Sequence, residues 1–168
     1  RALAKRLRKT KMTLLVLGPA TNIATVVKRH PELHSRIDSI VAVAGRRLGQ
    51  RFTVGPNTER AFDDFNFEQD AEAFRVLLES KIPITLAPFE ISSKVWIRRE
   101  DLKDWAAAQS PESQWLIPAA TGWLKVWREQ FGVSGFNPFD TLAVGVLTHP
   151  SFMTCSELPA EIRTLEND

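Results

Sequence analysis

Three short apolar runs constrain this chain most: Met12 to Leu17 (MTLLVL), Ser39 to Ala44 (SIVAVA) and Pro83 to Phe89 (PITLAPF). The first stops at Gly18-Pro19 and the second at Gly45. A continuous apolar run of this length is what a strand buried on both faces of a parallel sheet displays. Between the first two runs, Thr21 or Asn22 can cap a helix to about Arg29, with Ile23, Val26 and Val27 on its inner face. His30-Pro31 breaks that helix, and Glu32 to Ile37 reads as a further turn or two. A helix from about Gln69 to Ser80 precedes the third run. This strand–helix cadence predicts an α/β fold with a mainly parallel sheet flanked by helices.

Beyond Glu90 the pattern turns mostly helical, with segments predicted at Arg99 to Ala108, Pro111 to Phe131 and Asn137 to Leu147. In the last of these Pro138 is acceptable in a first helical turn. Trp115, Trp123 and Trp127 fall on one helix face, which reads as a packing stripe in preference to an aromatic wall for a planar ligand. Residues 46–60 are polar, contain Gly49, Gly55 and Pro56, and read as a long loop. The organisation expected is one domain over 1–168, with a basic helix end at 1–11, an α/β part at 12–92 and a mostly helical part at 93–150.

Composition removes several classes of function. The chain has 168 residues, 43% of them hydrophobic and 25% charged, which suits a folded domain and not a disordered one. No apolar run approaches a membrane span. One Cys and three His exclude both an internal disulfide framework and a Cys₂His₂-type zinc site. Residues 1–11 (RALAKRLRKTK) carry six Lys or Arg and no acid. Such an arm can bind nucleic acid or an anionic membrane surface, but Leu3 and Leu7 at i, i+4 favour the solvated end of a surface helix. The chain lacks an initiator Met and opens inside a helical pattern, so it is expected to be a fragment or a processed product.

In an open parallel sheet, ligands bind at the carboxyl ends of the strands. Leu17-Gly18-Pro19, Gly45 onward and the Phe89-Glu90 region reach that edge. The stretch AFDDFNFEQDAEAF, residues 61–74, follows the second strand and sets Asp63, Asp64 and Asn66 among phenylalanines. Its second half reads as a helix entry. Asp140 opens an otherwise apolar helix, a placement the helix dipole alone would explain. Carboxylates and a carboxamide meeting a free backbone carbonyl would suit a hard cation and a polyhydroxylated ligand.

These segments carry a resemblance. LLVLGPATNIATVVKRHPELHSRIDSIVAVAG (residues 14–45), DFNFEQDAEAF with IPITLAPFEIS, and PFDTLAVGVLTHP resemble, in this order, motifs of the inosine–uridine-preferring nucleoside hydrolase family. The resemblance covers most of residues 12–153. It implies an incomplete nucleoside hydrolase fold with a Rossmann-like sheet, part of a larger domain. It also implies calcium-dependent hydrolysis of the N-glycosidic bond of ribonucleosides through an oxocarbenium-like cation. Asp140 matches a calcium-ligating aspartate and Leu17 a position whose backbone carbonyl ligates calcium. Asn66 matches an asparagine that hydrogen-bonds ribose, and Asp64 a glutamate at the sugar's 5′ side. The partner implied is a small-molecule nucleoside, with no membrane, no expected nucleic acid, a homo-oligomer in the full-length protein and a cytoplasmic location.

Two departures qualify what the resemblance implies. The family's Asp-x-Asp-x-Gly-x-Asp-Asp cluster, which supplies the other calcium carboxylates and the general base, is absent from these 168 residues. The chain as given is therefore expected to bind calcium weakly or not at all and to lack catalytic activity. Phe139 stands where many members carry a histidine that protonates the leaving base, and phenylalanine transfers no proton. The alternative to an enzyme is a non-catalytic member that binds a nucleoside or another ribosyl compound.

Overall fold

A computed structural model describes residues 1–54 and 61–163. Elements follow in chain order: α1 (Ala2–Leu7), β1 (Met12–Val16), α2 (Thr21–Arg29), a 3₁₀ turn (Pro31–Arg36) and β2 (Ile37–Ala42). Then come β3 (Phe52–Thr53), β4 (Ala61–Phe62), α3 (Phe65–Glu68), α4 (Ala71–Glu79), β5 (Ile84–Leu86) and α5 (Phe89–Ser92). The series ends with β6 (Ile97–Arg98), α6 (Arg99–Ala107), α7 (Pro111–Phe131), β7 (Gly135–Phe136), α8 (Thr141–Thr148) and a 3₁₀ turn (Pro150–Phe152). The chain divides into two compact units, one of Arg1–Gly45, Asp64–Pro88 and Asp140–Asp168, the other of Arg46–Asp63 and Phe89–Phe139.

The first unit holds a parallel sheet in the order β1-β2-β5. Leu14, Val16, Ile40 and Ala42 join Val26, Val27, Phe74 and Leu77 in one core, so α2 and α4 cover one face. Val41 and Val43 pack with Ala87, Leu142 and Ala143, so α8 covers the other. Leu7 is wholly buried in the first core and Leu3 packs against it, which makes the basic arm the solvated side of α1. Burial on both faces is why β2 reads as a continuous apolar run, whereas β1 buries Leu14 and Val16 on one face and leaves Leu15 exposed on the other.

Local details differ from the sequence reading for identifiable reasons. Neither Thr21 nor Asn22 caps α2: the N-cap is Ala20, and the Thr21 hydroxyl instead donates to Asp70 Oδ2 at 2.5 Å. Asp70 caps α4 by accepting from the Ala73 N–H at 2.9 Å. Part of the loop expected at 46–60 forms the antiparallel pair β3–β4; residues 55–60 lie outside the described residues. The helix expected from Asn137 starts only at Thr141, because Asn137 is buried with its Nδ2 donating to the carbonyls of Ser93 and Val95.

The second unit is built on α6 and α7, the β6–β7 pair and the aromatic core around Trp127. Ser110 caps α7 and Gly132, at φ 68°, ends it in the left-handed conformation that favours glycine. The tryptophan stripe divides. Trp127 is 4% exposed against Trp96, Phe131 and Phe136, whereas Trp115 is 76% and Trp123 50% exposed. A spread of twelve residues turns the helix by about 120°, too far for all three rings to face one core.

Candidate functional site

The four residues singled out in the sequence all belong to the first unit and lie at the carboxyl edge of its sheet. The ladder runs one step past the strands, with Val43 N–H donating to Val16 O at 3.0 Å and Ala87 N–H to Ala42 O at 2.8 Å. Leu17 leaves β1 at that point. Its side chain is 41% exposed, and its carbonyl accepts no hydrogen bond among the described residues.

Past β2, Gly45 turns the chain at φ 89°, a conformation that residues with a Cβ rarely adopt. The turn aims the Gly45 N–H at Asp64 Oδ2, 2.7 Å away. The other oxygen of Asp64 caps α3 by accepting from Phe67 N–H at 3.2 Å, while Glu68 Oε1 accepts from the Asp64 N–H at 3.1 Å. These two bonds satisfy donors at the start of α3 much as a capping box does, with the returning acid one position later than N3. Asp64 is 7% exposed, and its backbone bonds fix the loop against the end of β2. A carboxylate keeps further lone pairs beyond these two bonds, so contact with a ligand hydroxyl is compatible with them.

Asn66, half-buried on α3, donates from Nδ2 to Val43 O at 2.8 Å. That bond fixes which end of the amide is which. Its Oδ1 has no partner among the described residues and is the acceptor the group presents.

Asp140 is the N-cap residue of α8, with no capping bond from its side chain. Leu142 and Ala143, in the first turn of α8, pack on Val43 and Ala87 just past β2 and β5. That packing brings Asp140 to the same edge as Leu17, Asp64 and Asn66. Although Asp140 is exposed, nearby protein removes enough of its water to raise its carboxyl above the usual aspartate value.

A calcium ion takes about six to eight oxygens. Asp140 and the Leu17 carbonyl are two, and among the described residues no group of three or more His, Cys, Asp or Glu could hold a metal. The donors described here do not by themselves make a calcium site.

Phe139 belongs to the second unit, half-buried in an aromatic stack. Its ring lies 6.2 Å from Phe89 and 6.1 Å from Trp127, and Phe89 stacks on Phe52 at 4.0 Å. In the same unit Glu90 binds Arg47 through Oε1 at 3.0 Å, while its Oε2 is buried without a partner. The sequence reading reached the Phe89-Glu90 region but not this side chain, since an acid after a strand carries no signal of burial.

The profile of the inosine-uridine preferring nucleoside hydrolases matches residues 1–168. The chain belongs to that family. Among curated nucleoside hydrolases, the pyrimidine-specific ribonucleoside hydrolase RihA of Citrobacter koseri is 28% identical over 158 residues, 92% of this chain and 48% of the relative. Among solved structures, the purine-preferring ribonucleoside hydrolase from Gardnerella vaginalis superposes with a TM-score of 0.73 at 24% identity, over 91% of this chain and 48% of that one. A plant nucleoside hydrolase superposes with a TM-score of 0.76 at 22% identity, over 91% and 47%. The fold is that of nucleoside hydrolases, and the chain spans about half the length of the family members it matches.

Proposed function

We propose that this chain is the ribose-gripping part of a ribonucleoside N-ribohydrolase. The observation that supports the reading most is the gathering of Leu17, Asp64, Asn66 and Asp140 at one sheet edge within a nucleoside hydrolase fold. In this reading Asn66 Oδ1 accepts a hydrogen bond from a ribose hydroxyl, and Asp64 takes a second hydroxyl on a free lone pair. In the same reading the negative charge of Asp140, at this sheet edge, favours the oxocarbenium-like cation that forms as the glycosidic bond breaks.

If calcium serves the reaction, Asp140 and the Leu17 carbonyl are two of its oxygens and the rest come from outside the described donors. The general base also comes from elsewhere, so the 168 residues alone do not turn over. Phe139 supplies no proton, so the departing base takes its proton from another acid or leaves as an anion. The names of the relatives point both to pyrimidine and to purine nucleosides, and either fits a site defined by its sugar contacts. No helix of the described residues is long and apolar enough to cross a membrane, and a cytoplasmic location goes with the reading.

The test is nucleoside affinity in the full-length gene product. Asn66→Ala is expected to weaken nucleoside binding about tenfold, the effect of losing one well-placed hydrogen bond of about 1.4 kcal/mol. Unchanged affinity would remove Asn66 from the site. A second reading, a family member that binds ribosyl compounds without cleaving them, is favoured by Phe139 and by the short donor set. It predicts nucleoside binding with no release of ribose.

A further inference from the structure

A second concave surface, lined mainly by cations among its charged groups, lies within the α6–α7 unit. A groove of about 440 Å³ runs between the first turn of α6 and the C-terminal half of α7. Arg99, Lys125 and Arg128 line it, with Glu100 as the one acid and Leu124 and Val133 among its apolar lining. Lys125 and Arg128 stand one turn apart on α7, and Arg99 faces them from α6. Three cations against one acid leave two positive charges in a concave space of ligand size.

Local electrostatics do not account for this set. Arg128 suits its place in the last turn of α7, where the helix dipole is negative. Arg99 occupies the first position of α6, where the dipole is positive and a cation is disfavoured. Neither arginine has a carboxylate partner among the described residues, and Lys125 reaches Glu129 only at 3.9 Å. Arginine forks left free around a groove bind oxyanions with two hydrogen bonds each.

We propose that this groove binds a small polyanionic ligand of the phosphate or pyrophosphate class, clamped between Arg99 and the Lys125–Arg128 pair. The proposal does not depend on the ribose reading, because it uses none of Leu17, Asp64, Asn66 or Asp140. The test is calorimetric titration of inorganic pyrophosphate into the chain in low-salt buffer. Saturable binding of one pyrophosphate per chain is expected. Arg99→Ala and Arg128→Ala should each weaken it at least fivefold, and Glu100→Gln should tighten it severalfold. All three side chains are exposed, so each variant is expected to keep the parent's melting temperature. Absence of saturable heat, or an affinity indifferent to all three substitutions, would overturn the proposal.

Discussion

Asp64 places one oxygen on the Gly45 N–H and the other on the first turn of α3, so it joins the end of β2 to the site loop. Removing it loses a cap, typically about 1 kcal/mol, and leaves the Gly45 N–H without its partner, about 1–3 kcal/mol more where water cannot replace it. Asp64→Ala is therefore expected to lower unfolding free energy by about 2 kcal/mol or more in a urea titration. Asp64→Ser, which keeps a capping oxygen, should lose clearly less. Equal stability of all three proteins would contradict the joint. The aspartate and its spacing from Asn66 were legible as chemistry, because acids and amides among phenylalanines stand out. The bond to Gly45 was not, since nothing in a linear pattern pairs a residue with a turn 19 positions away.

At the scale of elements, the helix start at Asp70 is tied to α2 through Thr21. The Thr21 hydroxyl, and then the Ala73 N–H, hold the Asp70 carboxyl below its ordinary value of 3.8. A lowered folded-state value means stability that is present above the unfolded value and lost as pH falls through the folded one. Denaturant midpoints should thus drop as pH is taken below about 3.8, and Asp70→Asn should remove that part of the dependence. An unchanged pH profile in the variant would contradict the tie. α7 gives a contrast within one helix. Trp127→Ala is expected to cost about 3–5 kcal/mol as a core truncation, whereas Trp115→Ala should stay within about 0.5 kcal/mol; thermal melts of the pair check both. The main strands and long helices were readable because burial sets their hydrophobic period. β3 and β4, two residues each, are too short to show any period. The late start of α8 depends on Asn137 reaching carbonyls more than 40 residues away.

At the scale of the molecule, β1 is an edge strand whose Leu15 is 37% exposed, with Leu17, just past it, at 41%. Parallel sheets are ordinarily covered on both faces. That face of β1 lies open among the described residues, and the chain spans about half the length of the curated relatives it matches. Family and fold were legible because three motifs occur in order across one sheet edge. Sugar chemistry can be argued from that edge, but the identity of the base is not, since no described residue of the edge is tied to a base. The most direct measurement is release of free ribose from a panel of ribonucleosides by the full-length gene product, with and without a calcium chelator. The account predicts ribose from at least one nucleoside, and loss of that release on chelation would add calcium to the reaction. No ribose from any nucleoside, with nucleoside binding retained, would contradict it and leave a binding protein.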